Sequence, residues 1–145
     1  MPVTVKNISL WRKEVENRVG TLAHTLAPVT KAGANLHVLM GYRYPGDGTK
    51  AAIELYPVAG KKVTAAASEA GLSASSIPTL LVEGDDRACL GLAIAQAIAG
   101  AGVNLTFFVA QSVGKKFSAV LGFETAAGAK IAAPLIKKAT TSKRK

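Results

Sequence analysis

Val3 and Val5, then Ile8 and Leu10, fall on alternate positions, which reads as extended chain with one face buried. The β-rich stretch Val3 to Val15 outruns an ordinary strand of about five or six residues, so a bulge or bend is expected within it. The period then lengthens. Leu22, Leu26 and Val29 sit at helical spacing, with Asn17 offered as a side-chain cap, Gly20 as the tight turn and Gly33 as the stop. Pro28 inside this helix should bend it slightly. Leu36 to Tyr44 and Ala51 to Tyr56 read as strands joined through Pro45-Gly46-Asp47-Gly48, a hairpin by turn chemistry. An Ala-rich helix from Gly60 to Ala70 stops at Gly71.

Leu72 to Glu83 holds two extended pieces, Ser73 to Ile77 and Thr79 to Glu83, meeting at Pro78. A helix from Leu90 to Ala101 puts Leu90, Ile94, Ala97 and Ala101 on one face. Strands Leu105 to Val113 and Phe117 to Glu124 flank Gly114-Lys115-Lys116. A last helix, Ala126 to Ala139, is expected to turn Ile131 and Leu135 inward.

The pattern occurs twice. Arg18 and Arg87, Gly33 and Gly102, and Asn35 and Asn104 are each separated by 69 residues. Solenoid repeats run about 20–50 residues, so a unit of this length is a small domain. The order predicts an α+β fold of two tandem ferredoxin-like βαββαβ modules, with antiparallel sheets and both helices on one face. The expected division is 1–77, 78–139 and a basic tail, 140–145. Nothing after the last helix makes a convincing closing strand for the second module. The segment around Met1 to Asn7 is the candidate donor of a substitute.

A net charge of +9 suggests nucleic acid until it is mapped. Lys137, Lys138, Lys143, Arg144 and Lys145 hold five of those charges, and no acid follows Glu124, which leaves +4 for the rest. Such a tail reads as a solubilising end. Ala88 to Gly114 carries no charge and is long enough to span a bilayer, but Gly100, Gly102, Asn104 and Gln111 interrupt it. It reads as a buried helix, a turn and a strand, so no membrane is expected as a partner. The single Cys89 excludes an intrachain disulfide, and with no signal peptide in view a cytoplasmic setting is expected.

Catalytic groups are sparse. His24 on a helix reads as solvated and His37 as a sheet residue; one Cys and two His cannot supply the usual zinc spacing. Asp85 and Asp86 are adjacent and read as helix-start charges. Neither phosphate-cradling glycine motif is present. Cys89 reads as a half-buried small residue ahead of a redox thiol. No enzyme activity, cofactor or metal is expected.

The doubled signature Asn17-Arg18-Val19-Gly20-Thr21-Leu22 with Gly33-Ala34-Asn35-Leu36, and Asp86-Arg87-Ala88-Cys89-Leu90 with Gly102-Val103-Asn104-Leu105, resembles the ACT domain. This is the small regulatory βαββαβ module of amino-acid metabolism. The whole chain resembles standalone proteins of two tandem ACT domains. The resemblance implies binding of an amino acid or similar small effector between paired modules, with allosteric signalling to a protein partner and homo-oligomerisation. Carried over, the first site comprises Asn17, Arg18, Val19, Gly20, Thr21 and Leu22 with Asn35. The second comprises Asp86, Arg87, Ala88, Cys89 and Leu90 with Asn104. Cys89 stands where the family usually has glycine, which would crowd a ligand against the backbone. The alternative is a ferredoxin-like RNA-binding module using the basic tail. It is less expected, because base stacking needs exposed aromatics on central strands.

Overall fold

The computed structural model describes residues 3–141. They form an α+β protein of two ferredoxin-like units, each a four-stranded antiparallel sheet with two helices. One unit comprises residues 9–76. It runs β2 (Trp11–Glu16), α1 (Thr21–Lys31), β3 (Val38–Tyr44), β4 (Asp47–Tyr56), α2 (Lys61–Glu69) and β5 (Ser73–Ala74). The other joins β1 (Thr4–Ile8) to β6 (Thr79–Asp85), α3 (Leu90–Gly100), β7 (Leu105–Val113), β8 (Lys116–Phe123) and α4 (Ala126–Thr141).

The two sheets share one strand order. The first is β3-β4-β2-β5 and the second, read from the matching edge, is β7-β8-β6-β1. The long amino-terminal stretch therefore does more than bend. It breaks at Ser9 and Leu10 and serves both sheets. β1 lies antiparallel against β6, with Val5 opposite Val82 and Asn7 opposite Leu80, and takes the place that β5 holds in the first sheet. The donor strand expected from Met1 to Asn7 is thus present from Thr4 to Ile8; Met1 and Pro2 lie outside the described residues. The expected division at 1–77 differs at this point, because residues 3–8 belong with 77–141. The physical reason is that β6 would otherwise be an unpaired sheet edge, which β1 covers.

Alternation along the strands aims one face of each sheet at its helices. In the 77–141 unit, Leu80 and Val82 meet Ala119, Leu121 and Phe123, beneath Leu90, Ile94 and Ile98 of α3 and Ala132 and Ile136 of α4. Val3, only 2% exposed, completes this core. Burying one such valine contributes about 1.5–3 kcal/mol. In the 9–76 unit, Ile53 and Leu55 pack on Val29 of α1 and on Val63 and Ala67 of α2.

Three helical faces differ from expectation. On α4 the buried stripe is Gly128, Ala129, Ala132, Ile136 and Thr140, while Ile131 and Leu135 are 51% and 38% exposed. Small residues face the sheet because they let α4 approach it closely, and the larger pair is left outside. On α3 the stripe continues to Ile98, with Ala97 only half-buried. On α1, Thr25 and Val29 are buried and Leu22 is 42% exposed. α4 also runs two residues past the expected Ala139. The Arg87 guanidinium donates to the Thr140 carbonyl at 2.7 Å, satisfying an end group of the last turn.

The stretch Ala88 to Gly114 is α3, a turn and β7, and among the described residues no helix is long and apolar enough to cross a membrane.

Candidate functional site

β2 ends at Glu16 and four residues carry the chain into α1. Asn17 was the expected cap, but its side chain is used elsewhere. Its amide Nδ2 donates to the Gly48 carbonyl at 3.0 Å, and its backbone N–H donates to Thr49 O at 2.8 Å. Asn17 thereby ties the junction to the β3–β4 hairpin. The N-cap is Gly20, held at φ 86°, where a side chain would be strained, and no side chain caps the helix. The first-turn amides of Leu22 and Ala23 therefore keep the donor capacity and positive dipole end of an open helix start. Arg18 Nε lies 3.3 Å from Glu16 Oε2, with both side chains about three-quarters exposed (75% and 74%). Val19 projects fully into solvent, and the Thr21 hydroxyl donates to Glu16 O at 3.4 Å.

A cavity of about 200 Å³ opens beside this turn. Its floor is the helix-facing side of the sheet: Val15 and Arg43 both pair with Ala51 and Gly41 pairs with Ile53, so these four positions share one face with Ala51. Thr21 and Leu22 form the wall, and Glu16, Arg18 and Arg43 are its charged side chains. A Cβ added at Gly41 would touch Leu22 at 3.7 Å, an ordinary contact, so glycine here keeps space open. A shallower depression of about 710 Å³ follows the other flank of the turn past Arg18, Val19, Gly20 and His24.

Tyr42 also lines the cavity and is anchored from the sheet's other face. Its hydroxyl donates to Glu54 Oε2 at 2.8 Å, and Glu54 is fully buried. Partial burial, followed by the bond to this carboxylate, raises the Tyr42 pKa above the usual tyrosine value. Tyr44 next to it donates to Glu14 Oε2 at 2.8 Å and accepts a hydrogen bond from the Arg12 guanidinium.

The second junction repeats the backbone but not the space. Asp86 N–H donates to Lys115 O at 2.8 Å, as Asn17 N–H does to its own hairpin. Cys89 takes the place of Gly20 with φ 70° and ψ 11°, a left-handed conformation that a residue with a Cβ adopts at a cost of about 1–2 kcal/mol. Its thiol is exposed, not half-buried. Ala88 is exposed as well. Leu90 stands where Thr21 does and is 2% exposed. Gly84 opposite Phe117 is the register equivalent of Val15 opposite Ala51, and Phe117, only 7% exposed, fills the floor. Arg87 is drawn inward to Thr140, whereas Arg18 stays outside.

The structure thus brings Asn17, Arg18, Thr21 and Leu22 to one cavity, with Val19 and Gly20 on its neighbouring flank. Asn35 is not among them. It follows α1, whose 11 residues span about 16 Å, and lies exposed at the far end. Asn104 stands likewise beyond α3. Gly41, Arg43 and Ala51 escaped sequence reasoning. They lie on β3 and β4, and only cross-strand register shows which residues of these strands face the cavity.

No protein-family model matches the sequence, and no curated protein matches it. Solved structures do resemble the fold. Protein BT0572 from Bacteroides thetaiotaomicron aligns with a TM-score of 0.72 at 11% identity, over 92% of this chain and 89% of that one. The ligand-free regulatory subunit of aspartate kinase from Thermus thermophilus aligns with a TM-score of 0.62 at 16% identity, over 96% and 97%. Aspartate kinase from Clostridium acetobutylicum, described as an allosteric enzyme, aligns with a TM-score of 0.58 at 16% identity; 95% of this chain matches 34% of that one. At these identities the likeness is one of fold.

Proposed function

We propose that the protein is a non-catalytic, ACT-type regulatory module that binds a small amino-acid effector at its first loop-to-helix junction and signals to a protein partner. The cavity beside Arg18 and Thr21 carries this reading, because it sets an open concave space of about 200 Å³ against an uncapped helix start. Such a start accepts a carboxylate, and the neighbouring carbonyl and carboxylate oxygens accept from an ammonium. The likeness in fold to aspartate kinase regulatory subunits supports a regulatory role. Arginine stays protonated at neutral pH, so the side chains here suit holding a ligand more than moving protons.

The reading includes a second copy of the chain. β3 is an edge strand, with Leu39 and Tyr42 46% and 40% exposed. Antiparallel pairing of β3 with itself would cover that edge. It would also bring the start of one β3, next to Asn35, beside the end of the other, where Arg43 lines the cavity. Asn35 then serves the site of the opposite protomer, despite its distance from its own. A lone exposed thiol, Cys89, suits a reducing compartment and goes with a cytoplasmic setting.

The RNA alternative finds less support. Phe117 and Phe123 of β8 point into the helix-side core, and the other faces of β6 and β8 present Leu81, Glu83, Ser118 and Val120, none of which stacks on a base.

Titration calorimetry with the twenty amino acids tests the proposal. At least one should bind, and Gly41→Ala should weaken that binding about tenfold or more by filling the floor, with the melting temperature little changed. Silence of the wild-type protein across the whole panel would overturn it.

A further inference from the structure

We infer that the effector of the first junction is an amino acid with an acidic side chain, recognised by Arg43; this rests on the ligand-binding reading above. Three charged side chains line the cavity. Two of them, Glu16 and Arg18, neutralise each other at 3.3 Å. That leaves Arg43. Among the described residues no carboxylate lies within ion-pairing distance of it. Its register with Ala51 places it on the same sheet face as the floor. Guanidinium is a planar, permanently charged fork that matches a carboxylate with two parallel hydrogen bonds.

The charge balance decides among effectors. A basic side chain would set its ammonium against the Arg43 guanidinium, and a neutral one would leave that guanidinium to solvent, without a carboxylate partner. An acidic side chain pairs with Arg43 while the ligand α-carboxylate takes the open helix start. The volume of about 200 Å³ lies below the roughly 300–1,000 Å³ typical of sites for larger ligands, so it suits one amino acid better than a nucleotide or peptide. At the second junction the register equivalent of Arg43, opposite Phe117, is Ser112, so the feature belongs to the first site alone.

Calorimetry of the full chain at pH 7 with glutamate, aspartate, glutamine, asparagine and lysine tests the inference. Glutamate or aspartate should bind about tenfold or more tighter than its amide, the difference one charge-assisted contact makes. In Arg43→Gln that ratio should fall to near one, with amide affinity unchanged. Arg43→Lys should retain part of the preference. Amides or lysine binding as tightly as the acids would overturn the acidic specificity while leaving the regulatory reading standing. An undiminished preference in Arg43→Gln, with an unchanged melting curve, would overturn the assignment to Arg43. If no amino acid binds the wild-type chain, the function proposed above falls first and this inference with it.

Discussion

The two loop-to-helix junctions have nearly the same backbone and different interiors. Gly20 and Cys89 both sit at positive φ, and Asn17 and Asp86 both donate their backbone N–H to the adjacent hairpin. Yet the first junction borders a cavity floored by Ala51, and the second is closed by Phe117 and the buried Leu90. The contrast extends to the arginines. Arg18 remains outside beside Glu16, and Arg87 reaches in to hold the end of α4. A duplicated main chain thus supplies two frames, and a few side chains decide which frame stays open to a solute. The units also close differently, one with its own two-residue β5 and the other with β1 from the chain's start.

The largest effect is expected where closure differs. Deleting residues 2–6 removes Val3 from the core and most of β1 from the edge of β6. Two valines and their cross-strand hydrogen bonds make the loss about 5 kcal/mol or more, and the 77–141 unit should lose cooperative melting. An unchanged unfolding midpoint in urea would remove the case for β1 as a structural strand.

Exchanging the floors comes next. Phe117→Ala should cost about 3–4 kcal/mol through the void it leaves in a packed core. Ala51→Phe should instead fill the first cavity, abolishing amino-acid binding while the far-ultraviolet spectrum stays native. Retained affinity in the folded Ala51→Phe variant would show that the ligand binds elsewhere.

The arginines separate more finely. Arg87→Met should lower stability by about 1.5–3 kcal/mol, because a charged hydrogen bond to Thr140 is lost in a partly buried setting. Arg18→Met should change stability by no more than about 0.5 kcal/mol, since its ion pair is solvated. Equal losses in chemical denaturation would erase the distinction between them.

The smallest effect is electrostatic. Lys116 Nζ lies 2.6 Å from Asp85 Oδ1, and this bond holds the Asp85 pKa below its ordinary 3.8. A depressed folded-state pKa contributes stability that is fully present above the unfolded value and is lost as pH falls through the folded one. Lys116→Met should therefore lower the melting temperature slightly at neutral pH, and the gap should close below about pH 4. A gap of constant size down to the acid transition would assign the effect to packing instead.

Much of this architecture was legible along the chain. The 69-residue spacing gave two modules, and turn glycines marked where helices begin and end. The alternation of Val3, Val5, Ile8 and Leu10 marked an amino-terminal stretch longer than one strand, from which β1 is drawn. The candidate site was only half legible. Arg18 and Thr21 fall within a local signature, but Gly41, Arg43 and Ala51 join them through strand register, which is a long-range property. Helix orientation misled in the same way. Ile131 and Leu135 look like core by hydrophobicity, and Ala129 and Ala132 occupy the core because α4 packs close to its sheet.

By itself the sequence determined the kinds and order of the elements, since period, turn residues and caps act over a few neighbouring positions. Only the tertiary structure decided that β1 belongs to the second sheet, that Phe117 closes one junction, and that Ala51 leaves the other open. Those outcomes depend on which residues meet across strands far apart in the chain, where space is filled by whichever side chain the register delivers.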